Sequence, residues 1–165
     1  MEILNDFNTT VEKAFDEIDI NWRSYDGLIV CGTHSPPHDV EEIIDKIREA
    51  RTNKRPFLGI CFGLHLMAIE YARNKLGVSN ATSEEFGQGE FVVHKLPNLR
   101  VGAIEVDGRL EDHWHNYFVR WGLFGGWFRS SSLGQILERT HLDGHPHFVG
   151  VQFHPEYQSS KDKPH

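Results

Sequence analysis

The stretch that decides the fold is RPFLGICFGLHLMAIEYARN, residues 55–74. It begins with a short apolar run typical of a buried strand and continues, after Gly63, with a segment of helical character. Cys61 lies between Gly59 and Gly63, where the strand becomes a helix. A turn this sharp strains the backbone of its central residue, and the two glycines let the flanking backbone pack closely. The pattern therefore predicts that the Cys61 side chain emerges at the carboxyl edge of a sheet.

A second strand and helix precede this stretch. YDGLIVCG (residues 25–32) is an apolar run closed by glycine, and VEEIIDKIREARTN (residues 40–53) places its apolar residues on one helical face. Asp39 is the expected N-cap of that helix, and Gly77 is expected to end the next one. Strand, helix, strand, helix at this spacing predicts parallel strands in an α/β sheet.

The character of the chain changes after Gly77. SNATSEEFGQGE (residues 79–90) is polar and predicts a surface loop. Six short β-like runs follow, separated by turn residues such as VDG and LDGHP, and the last of them is FVGVQF at residues 148–153. We expect antiparallel ribbons that return to the parallel sheet, all within a single domain of residues 1–165. Only about 25 residues precede the first clear strand, and no closing helix follows SSKDKPH, so the domain is expected to be trimmed at both ends, the N-terminus included.

Composition limits the function classes. A formal charge of −7 without a basic run argues against nucleic acid and anionic membranes as partners. Neither a signal peptide nor an apolar stretch of membrane-spanning length is present. Two cysteines among 165 residues cannot build a disulfide framework, which favours a cytoplasmic location.

The segment GVQFHPEY supplies the groups that a nucleophilic cysteine needs. A helix N-terminus favours the thiolate form of Cys61. His154 and Glu156 stand two residues apart on a strand-like segment, stiffened by Pro155, so a base and its orienting carboxylate can share one face. The alternative is a packed, inert thiol, which does not account for the two glycines around Cys61.

These segments resemble a known family. GICFGLH and FHPE are similar to the nucleophile and His/Glu motifs of class I glutamine amidotransferases, and residues 56–77, NATSEEF and VGVQFHPEYQSS are similar to the glutaminase domain of CTP synthase. The resemblance implies a three-layer, flavodoxin-like α/β domain with a mostly parallel central sheet. It also implies that Cys61, His154 and Glu156 form a catalytic triad. Cys61 would attack the side-chain amide of glutamine to give a thioester, and Glu85 would hold the ammonium group of the substrate.

The resemblance also implies where this chain departs from the family. The family has Gln at the position of His65, and Arg residues where EDHWHNYFVR has Trp114 and Asn116. The loop after the first strand keeps Gly32 but has Thr33 in place of the family's second glycine. We therefore expect an altered glutamine pocket and an amide substrate, glutamine or an analogue. The residues expected to line that pocket are Gly32, Thr33, Phe62, His65, Glu85 and Asn116.

Other hypotheses stay open. A peptidase or γ-glutamyl hydrolase could use the same triad, and a non-catalytic regulatory module could use the same fold. His113 with His115, and His145 with His147, have metal-ligand spacing, but their contexts favour a ribbon and a turn, and we expect no metal or cofactor. Cys31 is expected to be a packed strand-end thiol beside the strand of Cys61, and the aromatic residues of 121–128 to be core. No phosphate-binding G-x-x-x-x-G-K-[ST] loop exists, so a synthetase reaction would need a separate subunit.

Overall fold

The computed structural model describes residues 26–33 and 39–165. The predicted N-terminal trimming and most of the loop between the first strand and helix fall on residues 1–25 and 34–38, outside the described residues. In chain order the elements are β1 (Leu28–Val30), α1 (Val40–Thr52), β2 (Phe57–Ile60), α2 (Phe62–Lys75), β3 (Ala81–Ser83), β4 (Glu90–Val106), β5 (Arg109–Val119), β6 (Phe128–Leu133), β7 (Ile136–Leu142) and β8 (Phe148–Val151), with short 3-10 turns at Gly125–Trp127 and Pro155–Gln158.

The larger sheet in the described residues has the strand order β1-β2-β8-β7-β6. Its first three strands are parallel, with Val30 opposite Gly59 and Gly59 opposite Gly150. Strands β7 and β6 continue the sheet in antiparallel fashion. The α/β class, the parallel strands at the site and the return of the chain to them in β8 are confirmed; the three-layer arrangement stays a prediction.

The smaller sheet has the order β3-β4-β5 and corrects one prediction. Residues 79–90 are not wholly a surface loop, because Ala81, Thr82 and Ser83 form a buried strand parallel to β4. Hydrogen bonding to β4 stabilises this strand although its sequence is polar. The runs EFVVHKL and RVGAIEV form one strand, β4, with a register shift between Lys95 and Arg100.

A two-residue turn closes the hairpin of β4 and β5, as the VDG sequence predicts. Asp107 and Gly108 have φ angles of 52° and 80°, and the flanking residues Val106 and Arg109 pair with each other. Two successive left-handed residues match the right-handed twist of the strands on either side.

Helix α2 occupies the core because it contacts both sheets, and α1 packs beside it. The side chains of α2 are buried over most of its length, so the helix is apolar on nearly all sides. Arg51 of α1 reaches Glu70 of α2 with two hydrogen bonds of 2.9 and 2.7 Å, and the Glu70 side chain is completely buried. This bidentate pair fixes the two helices to each other.

The helix ends follow the sequence in part. Asp39 stands at the N-cap of α1, and its carbonyl accepts from the Ile43 N–H at 3.2 Å, but its side chain makes no capping hydrogen bond. Asp39 therefore occupies the N-cap position that the sequence predicts, without a side-chain hydrogen bond to the first turn. Gly77 follows the end of α2 with a φ of 76°, as expected of the glycine that ends a helix.

The aromatic stretch of residues 121–128 is divided between core and surface. Phe124 and Phe128 are buried and contact Tyr71 of α2 at ring-centroid distances of 5.2 and 5.1 Å. Trp121 is 46% exposed. The core prediction therefore holds for the two phenylalanines and is wrong for Trp121.

Candidate active site

The turn between β2 and α2 forces Cys61 into a strained backbone conformation. Its φ and ψ are 51° and −99°, and its N–H donates to the Val151 carbonyl at 2.7 Å. A Cβ on Gly59 would lie 2.7 Å from the backbone of Gly63, and a Cβ on Gly63 would lie 2.1 Å from the Val30 carbonyl oxygen. No Cβ fits at either position, so both glycines are needed for the turn that presents Cys61 at the sheet edge.

His154 reaches the same edge because β8 runs parallel to β2. The His154 N–H donates to the Asp112 carbonyl of β5 at 2.7 Å, and its Nδ1 lies 2.6 Å from Glu156 Oε1. A Cβ built on Gly32 would lie 2.6 Å from His154 Cε1 and 3.3 Å from Cys61 Cβ. The imidazole and the cysteine therefore flank one glycine, whose lack of a side chain leaves room for both.

The charge state of His154 is set by its two neighbours. Burial acts to lower its pKa, but hydrogen bonding and charge interactions with Cys61 and Glu156 outweigh burial and raise the pKa to about 10. His154 Nε2 is buried and has no hydrogen-bond partner of ordinary geometry in the part of the chain that the structure describes. The Tyr157 ring stacks on the imidazole at 4.7 Å. At neutral pH the arrangement favours an imidazolium beside Cys61.

Cys31 ends the neighbouring strand and lies in the same apolar cluster as Cys61. Burial, and after it the negative charge of Glu156, raise the pKa of the Cys31 thiol to about 12. Cys31 is therefore a protonated, packed thiol, as the sequence predicts. Both cysteines are free.

Four predicted pocket residues lie in segments beside Cys61. Gly32 and Thr33 are half-buried after β1, and Phe62 is the first residue of α2. The Phe62 ring contacts that of Phe86 edge to face at 6.1 Å. Glu85, immediately before Phe86, is half-buried, and burial raises the pKa of its carboxyl group. Their contacts with substrate remain predictions.

The other two predicted pocket residues have different surroundings. His65 is buried and its Nε2 lies 3.2 Å from Gln152 Oε1, while burial lowers its pKa to about 4. Asn116 is exposed on β5, on the same side of the strand as Trp114, which is 47% exposed. The substrate-binding role of His65 and Asn116 remains a prediction.

Gln152 is a site residue that sequence reasoning missed. Its side chain is completely buried, and its Nε2 lies 3.7 Å from Cys61 Sγ. One signal could have found it: Gln152 precedes His154 by two residues, so the two side chains are expected on the same side of an extended segment.

The paired histidines of β5 form part of a buried polar cluster rather than an open site. His113 Nδ1 and His115 Nε2 lie 3.3 Å apart, and His113 Nε2 lies 3.9 Å from Glu138, which pairs with Arg100. Across the described ranges 26–33 and 39–165, no three His, Cys, Asp or Glu side chains are grouped so as to hold a metal ion. His145 instead braces a turn, with its Nε2 3.3 Å from the Ala50 carbonyl.

A cavity of about 900 Å³ adjoins the site. Its walls include Leu58, Ile60, Val149 and Glu156, but neither Cys61 nor His154. Of the helices that the structure describes, none combines the length and apolarity needed to cross a membrane.

Comparison with known proteins supports the same family. The family model described as glutamine amidotransferase class-I matches residues 4–165. A CTP synthase of Methanoregula boonei is 35% identical over 86% of this chain and 32% of its own length, and one of Thermotoga maritima is 34% identical over 99% and 37%. The chain thus spans about a third of the length of these curated relatives.

A solved structure matches the fold as well. The glutaminase domain of Trypanosoma brucei CTPS, described with bound acivicin, superposes with a TM-score of 0.74 at 25% identity. The match covers 90% of this chain and 70% of that one. It confirms the flavodoxin-like α/β fold expected from the sequence.

Proposed function

Since this chain belongs to the class-I glutamine amidotransferase family, and resembles the glutaminase domain of CTP synthase within it, we propose that it is a cysteine-dependent amide hydrolase. Residues 1–165 form one such domain in this proposal, consistent with a family match over residues 4–165. Its substrate is glutamine or an analogue with a side-chain carboxamide, and its products are the carboxylic acid and ammonia.

The observation that carries the proposal is the arrangement of Cys61, His154 and Glu156. His154 is hydrogen-bonded to Glu156 at 2.6 Å and flanks Gly32 together with Cys61. A nucleophile, a base and a group that orients the base are the three parts that covalent amide hydrolysis requires. The positive φ of Cys61 supports the same interpretation, because strained backbone is retained where function demands it.

The proposed reaction has two halves. The Cys61 thiolate attacks the carboxamide carbon, the C–N bond breaks, and the nitrogen leaves as ammonia with the proton that His154 carries. Water then attacks the thioester with His154 as base, the C–S bond breaks, and the sulfur leaves as a thiolate. Backbone N–H groups at the start of α2 and beside Gly32 are suited to hold the oxyanion, because the first N–H groups of a helix lack helical acceptors.

The recognition of the substrate is proposed to differ from that of the family. Glu85 is the proposed acceptor for the substrate ammonium group, and its partly desolvated carboxyl would gain from a cationic partner. Trp114 and Asn116 are exposed on β5 and present no cation to an α-carboxylate. Without a bidentate arginine there, binding of free glutamine is expected to be weaker by several kcal/mol, on the order of 2–4.

The ammonia acceptor is proposed to be a synthetase unit on a separate subunit. Its reaction is proposed by analogy with the CTP synthase relatives, of which this chain spans about a third. A reducing cytosolic compartment suits the proposal, since Cys61 must stay a free thiol.

The test is an acid-quench experiment with glutamine, γ-glutamyl amides and short peptide amides. We expect ammonia release and a covalent acyl adduct on Cys61, found by mass spectrometry of the quenched protein. Release from γ-glutamyl or peptide amides alone would favour the γ-glutamyl hydrolase or peptidase alternative. No adduct and no release with any amide would overturn the proposal and favour a regulatory module.

A further inference from the structure

Gln152 contacts the reactive sulfur from within the core. Its side-chain Nε2 lies 3.7 Å from Cys61 Sγ, within the range of a hydrogen bond to sulfur. The Gln152 side chain is completely buried, and its backbone N–H donates to the Glu138 carbonyl at 2.8 Å. Because the backbone of Gln152 is held by β7, the side chain has a fixed starting point for its approach to Cys61.

His65 determines which end of the Gln152 amide faces the sulfur. The Gln152 amide oxygen faces His65 Nε2 at 3.2 Å and its NH2 group faces Cys61 Sγ at 3.7 Å, and this orientation is satisfied by the tautomer of His65 that carries its hydrogen on Nε2. Burial lowers the pKa of His65 to about 4, so the imidazole is neutral at physiological pH. Its other nitrogen, Nδ1, is buried and makes no hydrogen bond of ordinary geometry in the described part of the chain, and the Tyr117 backbone also interacts with the imidazole.

An N–H donor at this sulfur acts in both halves of the reaction. Before attack it stabilises the thiolate, and during thioester hydrolysis it stabilises the thiolate that leaves as the C–S bond breaks. Hydrogen bonds to an ionised acceptor are about twice as strong as neutral ones. His154 and Cys61 both flank Gly32, so Cys61 has a cationic imidazole as well as the neutral Gln152 donor among its neighbours.

Building on the proposed amide hydrolase function, we propose that Gln152 is a further catalytic residue, whose side-chain N–H stabilises the Cys61 thiolate, and that His65 is the residue that positions it. In this proposal His65 contacts Gln152 and not the substrate. The histidine at position 65, where the family has glutamine, then supplies a hydrogen-bond donor to Gln152.

The test uses iodoacetamide alkylation of Cys61 on the full chain as a function of pH, followed by peptide mapping to separate Cys61 from Cys31. Gln152→Met keeps the approximate side-chain volume and removes the donor. We expect the midpoint of its pH–rate profile to rise by one to two pH units, with alkylation near pH 6 slower by about tenfold to a hundredfold. An unchanged profile in a folded variant would overturn the proposal.

His154 and Tyr157 also interact electrostatically with Cys61, and every variant keeps them. Gln158→Met is the matched control. The Gln158 amide donates to the Leu110 carbonyl at 3.0 Å and to Asp112 at 3.1 Å on the surface, so its loss should leave the profile unchanged.

His65 is tested by a pair of variants. His65→Leu removes the donor to Gln152 and should shift the profile in the same direction as Gln152→Met. His65→Gln retains an N–H for the Gln152 oxygen and should restore most of the wild-type profile. Equal profiles for both variants would contradict the positioning role, since a merely structural role would respond to volume and not to the donor.

A measurement on the unmodified protein covers the case in which Gln152→Met does not fold. The side-chain amide resonances of Gln152 are followed by NMR across the pH range of the alkylation profile. We expect the proton facing the sulfur to shift with the same midpoint as Cys61 alkylation, and the shift to vanish after alkylation. Resonances that stay constant through that midpoint would overturn the proposal. Because neither readout depends on glutamine turnover, a failure here is distinct from a failure of the proposed hydrolase.

Discussion

Cys31 and Cys61 end two adjacent parallel strands, and both are buried, but their surroundings differ in every respect that matters for reactivity. Cys31 directly follows β1, and burial together with Glu156 raises the pKa of its thiol to about 12. Cys61 stands on a turn with a φ of 51° and faces His154 and Gln152. The two thiols have similar solvent exposure. They differ in the backbone turn at Cys61 and in the polar groups that Cys61 faces.

The largest expected difference between the two cysteines is in catalysis. Cys61→Ala should reduce ammonia release by on the order of 10⁴-fold, because the proposed mechanism forms its thioester on the Cys61 sulfur. Cys31→Ala should stay within about threefold of the unmodified protein, since the Cys31 thiol is protonated and the proposed mechanism does not use it. Steady-state ammonia release with the best amide substrate measures both. A comparable loss in Cys31→Ala would end the functional distinction between the two strand ends.

The second expected effect concerns Gly63, the glycine of α2 that packs closely against the end of β1. A Cβ on Gly63 would lie 2.1 Å from the Val30 carbonyl oxygen, so Gly63→Ala must push α2 away from β1. We expect a loss of about 3 kcal/mol in the free energy of unfolding, measured by urea denaturation.

Gly126→Ala is the control for this substitution. A Cβ at Gly126 meets nothing within 4 Å, and the residue lacks a positive φ, so its cost should stay within about 0.5 kcal/mol. If the two alanine variants were equally stable, the turn would not depend on the close approach between Gly63 and Val30.

Local sequence predicted the Cys61 side of the fold well, for a physical reason. The apolar run, the glycine-bracketed cysteine and the helical segment act within about 20 residues, so their consequences are visible in residues 55–74. His154 and Glu156 could be proposed because a two-residue spacing on an extended segment places side chains on one face. Parallel pairing of β8 with β2 then brings that face to the edge where Cys61 lies.

Long-range pairing decided what the sequence could not predict. The polar sequence around Ala81–Ser83 predicts a surface loop, but this segment pairs with β4 and is a buried strand. The contact of Gln152 with Cys61 joins residues 91 positions apart. The buried contact of His113 with Glu138 depends on how β5 of the smaller sheet packs against β7 of the larger one, which periodicity alone does not fix.

The third prediction extends the comparison from thiols to imidazoles. Next to Cys61, His154 has a pKa raised to about 10, whereas burial lowers that of His115, inside the core, to about 3. Below its unfolded pKa of about 6.5, His115 binds a proton only in the unfolded state, so acid favours unfolding. Between about pH 6.5 and pH 3, His115 should contribute a stability slope of about 1.4 kcal/mol per pH unit, with stability rising as pH rises.

His115→Gln should remove that share of the slope. Urea denaturation at a series of pH values measures it, and the range from pH 7 to pH 8 serves as the internal control, because the histidine is neutral in both states there. An unchanged slope below pH 6 in the variant would mean that His115 does not titrate differently on unfolding.

The smallest expected effect returns to the backbone of the two strand ends. Cys61 has a positive φ, which costs a residue with a Cβ on the order of 1 kcal/mol, whereas Cys31 has no positive φ and carries no such cost. Going from Ala to Gly at position 61 should therefore raise the free energy of unfolding by about 1 kcal/mol, and the same change at position 31 should lower it by a similar amount. Both pairs differ only in one Cβ, so side-chain packing and thiol chemistry cancel within each pair. Chemical denaturation of the four variants measures the difference, and the same sign at both positions would show that the turn at Cys61 stores no strain.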